Sequence, residues 1–177
     1  MPVIALVGNK GGAGKTTLCI NLASALAERG ATVVLDADPQ QSSHNWHAIA
    51  DGRSAFPVIS ASDDVVQLAA DHVSSARYVL IDCPPSLSLL TVNALVACDA
   101  VLVPLQAEFF ALEGLSQLML TVRDVRETAN PALRIEGVVL TKMDLRLEAA
   151  SASEFRDNTR DDPLFNVPEI VWDLSTR

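Results

Sequence analysis

One stretch constrains this chain more than any other: Gly8-Asn9-Lys10-Gly11-Gly12-Ala13-Gly14-Lys15-Thr16-Thr17. The apolar run Val3-Ile4-Ala5-Leu6-Val7 precedes it and reads as a buried strand. Leu18 to Ala27 follows and reads as a helix ending at Gly30. Strand, glycine-rich turn and helix is the context a phosphate-binding loop requires. The glycines let successive backbone N–H groups point into one concavity. The helix N-terminus adds its positive end and its unpaired N–H groups at the same spot. The loop amides of Gly11, Gly12, Ala13, Gly14, Lys15, Thr16 and Thr17 are the candidate nucleotide contacts. Lys15 supplies a point charge for the outer phosphates, and the Thr16 hydroxyl is placed to ligate Mg²⁺.

Composition narrows the alternatives. The chain has 177 residues, 49% hydrophobic and 20% charged, enough for one domain with a real core. Net charge is −9, which argues against a broadly basic nucleic-acid surface but leaves room for a local patch. Lys10, Lys15 and Lys142 are the only lysines, and two of them fall in the loop. Apart from Lys142, positive charge elsewhere is arginine, so a compact ammonium is specifically wanted there. Cys19, Cys83 and Cys98 lie in apolar segments without metal-ligand spacing and read as reduced core thiols of a cytosolic protein. The first apolar run is too short to cross a bilayer and lacks a charged region before it.

Two acids follow at strand ends. Thr32-Val33-Val34-Leu35 leads into Asp36-Ala37-Asp38-Pro39-Gln40-Gln41, and Tyr78-Val79-Leu80-Ile81 leads into Asp82-Cys83-Pro84-Pro85. All-apolar strands ending in acids are what a parallel sheet shows at its ligand edge. Four apolar residues ending in an acid, downstream of a phosphate loop, form the Walker B arrangement. Asp82 would then hold Mg²⁺, through a water or through the Thr16 hydroxyl. Further elements are a short edge strand near Val58, a surface helix from Val65, an apolar helix from Leu87 to Cys98, and a strand from Val101 broken by Pro104. An amphipathic helix from Gly114 to Ala129 buries Leu115, Leu118, Met119, Val122 and Val125, and a last strand spans Ile135 to Leu140. His44 and His47 share a helix face without other ligands at metal spacing, and Trp46 reads as packing.

The loop lacks the strict P-loop glycine, since that position is Asn9. Lys10-Gly-Gly-Ala-Gly-Lys15-Thr16 instead resembles the deviant Walker A motif of the ParA/MinD group of ATPases. Asp36-x-Asp38-Pro39-Gln40 is similar to the switch segment of ParA-type proteins, which often carry glycine where Gln41 stands. Asp82-x-Pro84-Pro85, Ser86 to Leu95 and Val101 to Leu115 resemble the Soj branch. The resemblance spans about residues 1–145. It implies a doubly wound, mostly parallel α/β sheet with helices on both faces, and a Mg²⁺-dependent ATPase that positions DNA or another cargo. It implies that Lys10 reaches across an ATP-dependent homodimer to the partner's phosphates, and that Asp38 positions the attacking water. It implies that Glu108-Phe109-Phe110 borders the dimer interface, although the two phenylalanines read equally well as core packing, and that Asp144, in Thr141-Lys142-Met143-Asp144, borders the base. It further implies slow hydrolysis, a ParB-like stimulator, and contact with DNA without sequence preference. For the last, Arg123, Arg126, Arg134 and Arg146 are the clustered basic residues available, and each reads equally well as a solvated side chain.

Residues 146–177 depart from the pattern, so the expectation is a single ATPase domain over 1–177 with a divergent or shortened C-terminal part. No amphipathic terminal helix is seen for membrane binding. Two other readings stay open. One is a nucleotide-binding switch or interaction subunit with little turnover. The other is a GTPase, resting on Thr141 to Asp144, which Thr in place of Asn weakens.

Overall fold

The computed structural model describes residues 2–61, 64–106 and 111–141. Within them, strand and helix alternate as β1 (Val3–Leu6), α1 (Lys15–Ala27), β2 (Thr32–Asp36), α2 (Ser42–Ala50), β3 (Val58–Ser60) and α3 (Val65–Val73). They continue as β4 (Tyr78–Asp82), α4 (Leu89–Ala97), β5 (Ala100–Gln106), α5 (Ala111–Thr128) and β6 (Arg134–Thr141). The six strands form one sheet in the order β3-β2-β4-β1-β5-β6, and every pairing is parallel. The order reverses at β1, so the crevice at its carboxyl end is where such a sheet takes its ligand.

Alternation along the strands builds two cores. Val3, Ala5 and Val7 of the first segment join Val33 and Leu35, Val79 and Ile81, and Val101 and Val103 on one face. Val65 and Ala69 of α3, Ala94 and Leu95 of α4, and Leu115, Leu118, Met119, Val122 and Val125 of α5 cover that face. Leu6, Val34 and Leu80 point the other way, onto Cys19, Ile20 and Ala23 of α1. The expected doubly wound architecture is therefore the one observed. Arg123 and Arg126 are exposed, opposite the buried stripe of α5. All three cysteines are buried and free. None of the helices among the described residues is long and apolar enough to cross a membrane.

Pro104 does not break β5, which runs on to Gln106. In a parallel strand alternate residues turn their polar groups to opposite neighbours, and the Leu102 carbonyl accepts from Val7 N–H on the β1 side. Pro104 faces that side too, where β1 has already become the loop: a Cβ on Gly8 would lie 3.3 Å from the Pro104 carbonyl oxygen. The missing N–H therefore falls where the ladder has ended.

Candidate nucleotide site

The phosphate loop leaves β1 and enters α1 as expected. Gly12 and Gly14 have φ of 74° and 91°, in the left-handed region that favours glycine. Gly14 is the N-cap of α1; no side chain caps the helix and no acid sits in its first turn. Among the described residues its opening N–H groups thus have no side-chain cap, and an anion is the partner they suit. At Gly11 an added Cβ would meet nothing within 4 Å. Any demand for glycine there comes from a ligand and not from the fold.

Lys15 is buried, and its Nζ donates to the Lys10 carbonyl at 3.0 Å. Burial lowers its pKa, while Asp82, Cys83 and Asp38 nearby act the other way. Lys10 itself is exposed. Beside it, a cavity of about 370 Å³ opens between the loop, the end of β5 and α5, lined by Asn9, Lys10, Gln106, Glu113 and Gln117 among others. Lys15, Thr16, Asp38 and Asp82 do not line it. It is a separate hollow on the flank of the loop.

The sheet register sets the acids side by side. Asp36 pairs with Asp82 across β2 and β4, and Leu6 pairs with Asp82 across β1 and β4. Asp82 is 1% exposed. Its Oδ2 accepts from Thr16 Oγ1 at 2.8 Å and from Ser43 Oγ at 2.6 Å, while its Oδ1 is buried with no hydrogen-bond partner. Burial raises its pKa to about 6 against the two hydroxyls that favour the charged form. Asp36 is fully buried; it accepts from Asp38 N–H at 3.2 Å and from His44 N–H at 2.9 Å, and burial raises its pKa.

Thr16 touching an orphaned carboxylate oxygen's own carboxylate is an arrangement that suits Mg²⁺, which takes one or two protein groups and fills its shell with water and phosphate oxygens. Among the described residues no group of three or more His, Cys, Asp or Glu could hold a metal, so a metal caged by protein alone has no site there.

Asp38 is 8% exposed, and its Oδ1 accepts from Gln40 N–H at 2.9 Å in a side-chain turn. That is its role without nucleotide. Gln41 follows with φ 52°, a left-handed position, which explains why glycine suits it. Trp46 is 40% exposed and stacks one face on Phe56, with centroids 6.2 Å apart. Asp144, Lys142 and Met143, Glu108, Phe109 and Phe110, and Arg146 lie outside the described residues. Sequence reading missed Ser43 as a site residue. Ser42-Ser43 at a helix start was the available signal, but which serine faces the acids depends on helix phase. It also gave no separate role to Thr141, whose Oγ1 donates to the Ala13 carbonyl at 2.8 Å.

A parallel α/β sheet with this loop at its switch point, and with Thr16 and Asp82 joined beneath it, defines a P-loop nucleotide-binding domain. Comparison with known proteins agrees. A family model described as an AAA domain matches residues 1–61 and 70–135. A second, the ABC1 atypical kinase-like domain, matches residues 107–177, less than half the chain. Of its described part, β6 belongs to the same sheet as β1, and α5 packs in the core cluster that covers one face of that sheet. The chromosome partitioning protein ParA of Caulobacter vibrioides is 43% identical over 97% of this chain and 87% of its own length. The sporulation initiation inhibitor protein Soj of Bacillus subtilis is 38% identical over 81% and 74%. Among solved structures, a cobyrinic acid a,c-diamide synthase of Mycobacterium smegmatis, with bound ATP analog and magnesium, superposes with a TM-score of 0.77. It is 25% identical, over 97% of this chain and 86% of that one. A putative plasmid partition protein of Borrelia burgdorferi bound to AMPPNP is 20% identical with a TM-score of 0.71, over 90% and 81%, and shares the fold.

The chain belongs to the ParA/Soj family of partition ATPases.

Proposed function

We propose that this chain is an ATP-driven partition switch whose substrate is MgATP and whose working form is a homodimer. The observation that carries the reading is the uncapped α1 N-terminus beside the Thr16–Asp82 pair, an anion cradle and a cation site in contact. The ATP analog and magnesium in the Mycobacterium smegmatis structure support it as well.

The loop amides from Gly11 to Thr17 would bind the phosphates, and Lys15 would exchange its Lys10 carbonyl for a phosphate oxygen. Thr16 and Asp82 would hold Mg²⁺. Bound magnesium supplies charge neutralisation at the transferring phosphoryl group. Asp38 would leave its turn contact with Gln40 and orient water for attack on the γ-phosphorus, with the β–γ bridging oxygen leaving on ADP. Lys10 would contact the partner's phosphates, and Asp144 would border the base. A ParB-like protein would accelerate turnover, and the ATP dimer would hold DNA without sequence preference, in the cytoplasm at the nucleoid.

Size measurement with ATP and Mg²⁺ tests this. Wild type should run as a dimer and Lys10→Ala as a monomer, both running as monomers without nucleotide. ATP leaving wild type monomeric would remove the dimer mechanism. Turnover measured with and without DNA and a ParB-like partner separates an ATPase from a switch that binds without hydrolysing.

A further inference from the structure

Two hydroxyls converge on one oxygen of Asp82. Thr16 Oγ1 and Ser43 Oγ both donate to Oδ2, at 2.8 and 2.6 Å, and Oδ1 is buried without a partner. Thr16 belongs to the phosphate loop. Ser43 comes from α2, on the far side of the acids, and is 0% exposed. Resting on the MgATP reading above, we propose that Ser43 is a positioning residue for the cation: it holds Asp82 by Oδ2 and leaves Oδ1 as the oxygen offered to the metal and its water.

The anchoring of α2 makes this bond a fixed one. The helix starts at Ser42, just after the turn that carries Asp38. Its first turn is tied at two adjacent residues, Ser43 Oγ to Asp82 and His44 N–H to Asp36 Oδ2 at 2.9 Å. Asp36 and Asp82 are register partners on neighbouring strands, so α2 satisfies one oxygen of each. A carboxylate held by Thr16 alone could turn about its Cβ–Cγ bond and present either oxygen. Held by two donors from opposite elements, it has one arrangement. Ser43 donates a hydrogen bond to Asp82 and is no metal ligand itself; it acts through the carboxylate. The same bond links the cation site to the helix that follows Asp38, so metal loading and the place of the water-orienting acid share a support.

Calorimetric titration of ATP into the full chain, at a series of free Mg²⁺ concentrations and in EDTA, tests the proposal on wild type, Ser43→Ala and Ser43→Cys. The alanine removes the donor. The cysteine keeps the volume but donates weakly. The Mg²⁺ concentration at half-effect should rise about tenfold in both variants, as loss of a hydrogen bond to a charged group requires. ATP affinity in EDTA should stay within about twofold of wild type, since the hydrogen bond removed is to Asp82 and not to a loop amide. A half-effect concentration unchanged in Ser43→Ala would overturn the proposal. So would Ser43→Cys behaving as wild type, because packing would then explain the alanine result. So would a loss of ATP affinity in EDTA in either variant, because the damage would lie in the fold. Wild type whose ATP binding ignores Mg²⁺ would overturn the MgATP reading itself, and that result appears without any variant.

Discussion

The hydroxyl of Thr141 donates to the carbonyl oxygen of Ala13 at 2.8 Å, joining residues 128 positions apart. Thr141 ends β6, the edge strand, and Ala13 sits inside the phosphate loop. Both are buried. The bond fixes the Ala13–Gly14 peptide, whose N–H end is one of the loop amides. Chain that borders the base in the family resemblance therefore also holds the loop that would take the phosphates.

Thr141→Val keeps the shape and removes the donor, leaving the buried Ala13 carbonyl without its partner. It should lower unfolding free energy by about 1–2 kcal/mol and weaken ATP binding several-fold. Thr141→Ser restores the hydroxyl and should recover most of both. Denaturant unfolding and calorimetry check the pair. Equal behaviour of Val and Ser would mean the hydroxyl does not matter.

The loop glycines separate fold from ligand. Gly14 has φ 91°, so Gly14→Ala should cost roughly 1–2 kcal/mol of stability in the nucleotide-free protein. Gly11 has open space around an added Cβ, so Gly11→Ala should leave stability within about 0.5 kcal/mol of wild type. Thermal unfolding without nucleotide measures both. If Gly11→Ala then loses ATP affinity, the ligand's approach to the backbone is the cause.

Much of this was legible before the structure. Buried strands in a parallel sheet read as continuous apolar runs, and here β1 runs into the glycine-rich loop while β2 and β4 end in an acid. The loop, Asp82 and the α5 stripe were therefore visible in residue order alone. What stayed hidden depends on side-chain direction across the fold. Ser43 and Thr141 act through single hydroxyls aimed at atoms 39 and 128 residues away, and serine and threonine carry no pattern that marks such bonds. By residue type alone Asp36 reads the same as Asp38, and only the family resemblance gave Asp38 its role. The structure separates them by their hydrogen bonds: both are buried, but Asp36 accepts from the start of α2 while Asp38 closes its own turn.

Pro104 was misread because a proline is judged without its neighbours. Its nitrogen faces the side where β1 has ended, so Pro104→Ala should change stability by no more than about 0.5 kcal/mol. Val103 faces β6, with Val138 as its register partner, so Val103→Pro should remove a ladder bond and cost about 3 kcal/mol or more. Denaturant midpoints of the two variants decide it. Comparable losses would show that Pro104 is not placed as described.

Asp82 gives the nucleotide-free protein a pH signature. Its carboxyl is raised from 3.8 to about 6 by burial. The folded state thus holds this proton more tightly than the unfolded chain, and the stability so gained is present below pH about 4 and is lost as pH rises through about 6. Asp82→Asn keeps an oxygen for Thr16 and Ser43 but cannot ionise, so it escapes the loss. The variant's unfolding free energy relative to wild type should therefore grow by roughly 1–2 kcal/mol between pH 5 and 7.5. Asp36 is present in both proteins and largely cancels. Urea unfolding at several pH values, without nucleotide or divalent metal, measures the difference. A gap that stays flat with pH would mean the Asp82 carboxyl titrates where an exposed one does, and that two hydroxyls suffice to hold its charge in the core.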